Sequence, residues 1–368
     1  MNVERPIGPF SLGEAAAALA ALGHEREERE VLLSALRKIE ESWTKKEMVS
    51  DDFENNINVR EFVTGPIVDA MFKKDELLTK TLANGLTFTF RYSSKIARDF
   101  VMAGERPDHV WEPQTTKILT MLAPTAQNAV VAGAYFGDQA LLLASAMTQP
   151  GSRCFCFEIS EAQIGLLAKN AQANKIDNIV PVHKALWDRD DVQLSLIGED
   201  SHASVEEKPG DGPTYSTVTL DKFGRDNKID AIRVLMIDIE GAELRALHGA
   251  EAYLRQALDR APTIIFELHR SYVDWSRGLE NTEIARYLES FGYALYAIRD
   301  YQGNVDMRAH PVEIVPIRTA FLASRPHGFN VLAIKDKGLI EKLSLRVVEH
   351  VSPKLLPHRD PKLHHPLS

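Results

Sequence analysis

The chain has 368 residues, 26% of them charged, with a formal net charge of -9 at pH 7. That length supports an enzyme-sized core, and an acidic balance excludes a surface built mainly to neutralise phosphates, so nucleic acid is not an expected partner. No N-terminal stretch joins a basic region, an apolar run and a small-residue cleavage site, and the apolar residues 15–22 are too few to span a bilayer; the expectation is a cytoplasmic protein with no membrane partner.

Residues 13–48 read as helices, with a break at Gly23 and His24 and a helical stripe through Val31, Leu32, Leu36 and Ile39, inside an N-terminal helical accessory region over 1–80. The run LANGLTFTFRY at 82–92, with Asn84 and Gly85 as its turn, predicts a hairpin within a connecting segment at 81–122. From 123 to 340 short apolar runs alternate with amphipathic stretches, the pattern of a doubly wound α/β domain. Strands are expected near 128–133, 153–158, 178–183, 232–238, 262–268, 292–298 and 329–335, and helices near 137–147, 161–174, 242–258 and 280–290. The polar stretch 198–214 reads as an exposed loop, and 341–368 as a C-terminal helix followed from Pro353 by an aperiodic tail. Cys154 and Cys156 alternate about Phe155, which puts both thiols on one strand face as reduced, buried groups.

Three stretches carry chemistry. AVVAGAYFGD places a strand before Gly133 and Gly137 and then opens a helix containing Asp138, so a ligand can approach the loop backbone. About twenty residues on, the strand RCFCFE ends in Glu158, where an acid in dinucleotide-type folds accepts both ribose hydroxyls. The loop lacks the G-x-G-x-x-G spacing and carries bulky Tyr135 and Phe136, which favours a ligand without a pyrophosphate. In RVLMIDIEGAELRALHGA a strand ends in Asp238 and Glu240, with Glu243 close behind, and the next strand, TIIFELH, ends in Glu267 and His269. Ligands of open α/β sheets bind outside these carboxyl strand ends, so the acids and the imidazole form a candidate polar floor. Trp187, Tyr272 and Trp275 are candidate substrate contacts, whereas His183, His248, His364 and His365 read as structural or solvated.

VWEPQTTKIL, VVAGAYFGD, FEIS, HKALWD, VTLDKF, MIDIEGAELRALHGA and FELH together resemble the FkbM family of S-adenosylmethionine-dependent methyltransferases over roughly residues 110–335. The resemblance implies a class I methyltransferase fold, Rossmann-like and seven-stranded with its last strand antiparallel, an S-adenosylmethionine cofactor, and O-methylation of a hydroxyl on a sugar or natural-product small molecule. It assigns Glu158 to the ribose, the Ala185 backbone to the adenine and Asp238 to the methionine end, within a cofactor set of Glu112, Gly133, Ala134, Tyr135, Gly137, Asp138, Glu158, Ile159, Ala185 and Asp238. The chain departs from the family's D-V-G-A-N-x-G loop: Val131 replaces the acid that helps hold the methionine ammonium, and Tyr135 replaces the asparagine. Compensation by Glu112, Asp138 or Asp238 is expected.

Methyl transfer is an in-line displacement that needs an aligned hydroxyl and a place for its proton. His269 is the leading base, because imidazole titrates near neutrality, with Glu240 as alternative base or orienting partner and Asp238 beside them. A divalent metal on Asp238, Glu240, Glu267 and His269 is the less favoured arrangement, and no metal is assigned. The alternative function is a non-catalytic cofactor-binding or scaffolding module. A dehydrogenase would show Tyr-x-x-x-Lys after the fourth strand and an amino methyltransferase an Asn/Asp-Pro-Pro-type motif; the chain has neither there. The accessory helices also offer a surface for a homodimer.

Overall fold

The computed structural model describes residues 17–18, 21, 23, 26–47, 59–197, 204–207, 214–322, 328–356 and 360–368. Most of the 198–214 stretch lies outside the described residues. A hairpin of β1 (Glu76–Thr81) and β2 (Thr87–Tyr92) leads into the main sheet, whose strands are β3 (Asn128–Ala132), β4 (Arg153–Phe157), β5 (Ile179–Val182), β10 (Val234–Ile237), β11 (Thr263–His269), β12 (Ala294–Ile298), β13 (Glu313–Pro316), β14 (Gly328–Ile334) and β15 (Arg346–Val347). Between β5 and β10 lies a smaller sheet of β6 (Ala185–Leu186), β7 (Gln193–Ile197), β8 (Ser204–Glu206) and β9 (Thr214–Val218).

The main sheet runs β15-β13-β12-β14-β11-β10-β3-β4-β5. β3, β4, β5, β10 and β11 are parallel, and β14 is antiparallel to both β11 and β12. The seven strands from β5 to β12 therefore have the order and the antiparallel member of a class I methyltransferase; β13 and β15 widen the expected seven-stranded sheet to nine. The chain steps outward from β3 to β5 and then returns to place β10 on the other side of β3. That reversal opens a crevice at the carboxyl ends of β3 and β10.

Both faces of the sheet are covered, so its strands read as continuous apolar runs. Val131, Cys154, Cys156, Met236, Ile265 and Leu332 pack into one core, while Val130, Phe155, Phe157, Leu235, Ile264 and Phe266 pack into the other, as the two-residue period of a strand requires. Both thiols are buried on the same face with sulfurs 3.8 Å apart. The hairpin joins the first core through Phe88 and Phe90, which meet Phe100 and Phe136. Its open edge is covered by side-chain amides of the helix that follows β4: Asn170 and Asn174 each accept from and donate to the backbone of Thr89 and Thr87.

Four expectations need correction. The hairpin begins at Glu76, inside the stretch assigned to the accessory region, because Leu77 and Leu78 extend the pairing that starts from the Asn84 turn. The 242–258 helix is two short ones, Glu243–His248 and Glu251–Leu254. The polar stretch after Ile197 contains a strand, Ser204–Glu206, paired antiparallel with β7. The end of the chain is no loose tail: Arg299, fully buried, ion-pairs with Glu313 and donates to the carbonyls of Ser352, Leu363 and His365. No helix among the described residues is long and apolar enough to cross a membrane.

Candidate functional site

A cleft of about 650 Å³ opens over the carboxyl ends of β4, β3, β10 and β11. At roughly 4.8 Å per strand, its β4 end and its β11 end stand about 14 Å apart, room for an extended ligand with a second molecule beside it. Glu112, Gly133, Tyr135, Asp138, Glu158, Ile159, Ala185, Asp238, Glu240, Glu267 and His269 all line it.

Gly133 has φ +78°, and a Cβ there would lie 1.7 Å from the Asp238 carbonyl oxygen, so only glycine lets the two loops touch. Tyr135, where the family has asparagine, also sits in the left-handed region, at φ 45°, a conformation asparagine tolerates better than tyrosine. Its ring does not fill the crevice; its hydroxyl reaches Ser94 Oγ at 3.1 Å, and the side chain forms part of the wall. Its backbone N–H donates to Glu158 Oε2 at 2.9 Å, while Ser160 N–H donates to Oε1 at 2.7 Å. The Ile159 N–H acts on the carboxylate as well, and the group keeps room for a further donor such as a ligand hydroxyl.

Two members of the cofactor set lie off the cleft. Ala134 is buried, with its N–H spent on the Phe157 carbonyl, and Gly137 faces Leu141 and Leu167, where it permits the close approach of the following helix. Glu243 also turns away: its Oε1 accepts from the N–H groups of Ile239 and Gly241, closing the acidic turn on itself. Trp275 packs against Phe329 in the core, whereas Trp187 and Tyr272 do line the cleft.

The replacement of the loop acid by Val131 leaves a buried apolar side chain at the cleft floor, with Glu112 opposite. Glu112 precedes the helix Pro113–Leu122 but does not cap it; Asp300 does, accepting from Gln114 N–H at 3.0 Å and Thr115 N–H at 2.7 Å. The Glu112 carboxylate is thereby free to accept from Asn330 Nδ2 at 2.7 Å. Asp300 and Asn330 are functional neighbours that sequence reasoning missed, because their roles arise from contacts across the sheet and no local motif marks them.

The acids share one electrostatic problem, which is crowding in a desolvated site. Burial raises Asp238 to about 6, and burial with the Asp238 charge raises Asp138 to about 7 and Glu240 to about 7. Burial and the surrounding carboxylates drive Glu112 and Glu267 well above the usual carboxylate range. Donor oxygens of Asp238, Glu240 and Glu267 lie within 4.8 Å of one another. Such a group is relieved by one cation placed among it, whether an ammonium or a metal ion.

At the β11 end, Ser271 N–H donates to His269 Nδ1 at 3.1 Å. A neutral ring with its Nδ1 lone pair so engaged carries its proton on Nε2, which makes it a donor toward the cleft. The Glu240 carboxylate accepts from the Tyr272 hydroxyl at 3.2 Å.

Residues 132–295 match the model of the methyltransferase FkbM domain, a little under half of the chain. Over that span the chain is similar to the methyltransferase FkbM domain. No curated protein sequence matches the chain. Solved structures similar to it include a methyltransferase FkbM from Methylobacillus flagellatus (15% identity, 56% of this chain and 43% of that one, TM-score 0.33), an O-methyltransferase from Bacillus cereus in complex with SAH (14%, 60% and 80%, 0.33) and an rRNA methylase from Streptococcus thermophilus (12%, 60% and 93%, 0.33). Scores this low leave the strand order itself as the basis for the fold.

Proposed function

We propose that the cleft binds S-adenosylmethionine and transfers its methyl group to a hydroxyl of a small molecule. The observation that carries this reading is Glu158, a carboxylate at the end of the second parallel strand held by backbone N–H groups with room left for a ligand hydroxyl, standing in the same cleft as the acids that follow β10. The donor set fits the group: a diol acceptor at Glu158, backbone and Ala185 at the β5 side, a cradle kept open by Gly133, and Glu112, Asp138 and Asp238 as anions for an ammonium. These three take over the role of the acid lost at Val131.

When bound, S-adenosylmethionine supplies an electrophilic methyl group on sulfur. The chain's own residues then have two tasks. The cleft walls hold the acceptor oxygen in line with that carbon, and Glu240, held near 7, takes the hydroxyl proton as the oxygen–carbon bond forms. His269, donating from Nε2, orients the acceptor oxygen and exchanges the role first expected of it with Glu240.

Calorimetry with S-adenosylhomocysteine tests the reading: one site per chain is expected, with Glu158→Gln weakening it about tenfold or more. Loss of the site in the wild type itself would leave a scaffolding module as the answer. A divalent ion on Asp238, Glu240 and Glu267 is the second reading, favoured by their convergence. Labelled-methyl transfer that survives thorough EDTA treatment disposes of it.

A further inference from the structure

The wall facing the sheet edge is built from segments outside the family-matched span, and it brings two lysines, Lys95 and Lys354, into an acid-rich cleft whose third lysine, Lys184, follows β5. Lys354 is the unusual one. Its residue is only 9% exposed, its Nζ has one hydrogen bond, to Gln302 Oε1 at 2.7 Å, and among the described residues no carboxylate comes within ion-pairing reach of it. Glu267, Glu112 and Glu61 act on it only from farther away, and the nearby charge of Lys95 opposes it. An ammonium has three donors, and burying one without an anion costs several kcal/mol unless a partner arrives.

The position is firmly mounted. Asp300 N–H donates to the Pro353 carbonyl and Leu355 N–H to the Asp300 carbonyl, Lys354 N–H donates to Ser352 Oγ, and His364 Nδ1 lies 2.9 Å from the Lys354 carbonyl oxygen. Lys95, near it in the same wall, ion-pairs with Glu61 and keeps part of its surface exposed. In a chain of net charge -9, two cations held at one end of an acid-lined cleft select for charge at that end.

We propose that the methyl acceptor carries an anionic group, a carboxylate or a phosphate, which Lys354 binds with Lys95 as the second cation. The inference rests on the methyl-transfer reading of the cleft and deepens it: the acceptor is a hydroxylated acid or phosphate ester, with its anion beside Gln302 and its hydroxyl near Glu240.

The test is calorimetry of the full chain loaded with S-adenosylhomocysteine, titrated separately with inorganic phosphate and with malonate. Binding of at least one of them at a single site in the millimolar range is expected; the stronger of the two names the anion. Lys354→Met should lower that affinity about tenfold or more and Lys354→Arg should retain most of it, while both variants still bind S-adenosylhomocysteine as the wild type does. Lys95→Met gives a smaller loss and serves if Lys354→Met fails to fold. Neither anion binding to the loaded wild type, or anion binding that is indifferent to both lysines, overturns the proposal. Failure of S-adenosylhomocysteine to bind the wild type is a separate result that overturns the methyl-transfer reading and the inference with it.

Discussion

A methyl group built on Gly133 would sit 1.7 Å from the carbonyl oxygen of Asp238, because the turn after β3 and the acidic turn after β10 run in contact. Gly133→Ala therefore collides with backbone and also takes a side chain into φ +78°. A loss of about 3 kcal/mol or more in urea unfolding is expected, with S-adenosylhomocysteine binding abolished in whatever folds. A variant of wild-type stability would mean that the two turns are free to separate.

The acids make the empty protein sensitive to pH in a direction opposite to most carboxylates. Asp238, raised to about 6, and Asp138 and Glu240, each raised to about 7, hold protons more tightly folded than unfolded. Their contribution to stability is complete below the ordinary carboxylate range and is lost as pH climbs through about 6 to 7. Asp238→Asn should stabilise the ligand-free protein by about 2 kcal/mol or more at pH near 8 and leave it little changed only near pH 3, below the ordinary aspartate range, measured by denaturant titration. The same substitution should weaken S-adenosylmethionine binding, and wild-type binding near pH 6.5 should release protons, seen as a dependence of calorimetric heat on buffer ionisation.

Once an acceptor is in hand, Glu240 and His269 are separable. Glu240→Gln should lower kcat by about a hundredfold or more and remove the ionisation near 7 from the rate profile, with little change in cofactor affinity. His269→Asn keeps that ionisation and loses less. The reverse ranking would return the imidazole to the role of base.

Arg299 and Glu313 form a fully buried ion pair on which the chain's last segment hangs. Arg299→Met leaves buried Glu313 with only the longer contact to Arg346, at 3.8 Å, and frees the carbonyls of Ser352, Leu363 and His365. A destabilisation of about 3–5 kcal/mol is expected, with protease cleavage between residues 350 and 368 appearing before the sheet unfolds. Simultaneous loss of sheet and segment would show that they form one cooperative unit.

The sheet was legible because most inner strands are apolar runs closed by a polar residue at the carboxyl end, as VLMI before Asp238 and TIIF before Glu267 show, with β3 closed instead by Gly133. Its site acids were legible for the same reason, since a charge ending such a run lies at the sheet's ligand edge. What escaped was everything set by packing between distant segments. Asp300 reads as an ordinary loop acid until it is seen capping the helix after Glu112, and Lys354 lies in a proline-rich stretch whose lack of period suggested a tail. The Nδ1 contact of His269 depends on how the chain turns at Ser271, which no spacing rule encodes.

The Glu112–Asn330 contact joins positions 218 residues apart, and Asp300 reaches Gln114 across 186. Such contacts return little until a very long loop has closed, so this half of the cleft carries a large loop-closure cost. A ligand that engages Glu112 would hold these distant segments together, so occupancy of the cleft should protect Asp300 and Asn330 against local opening.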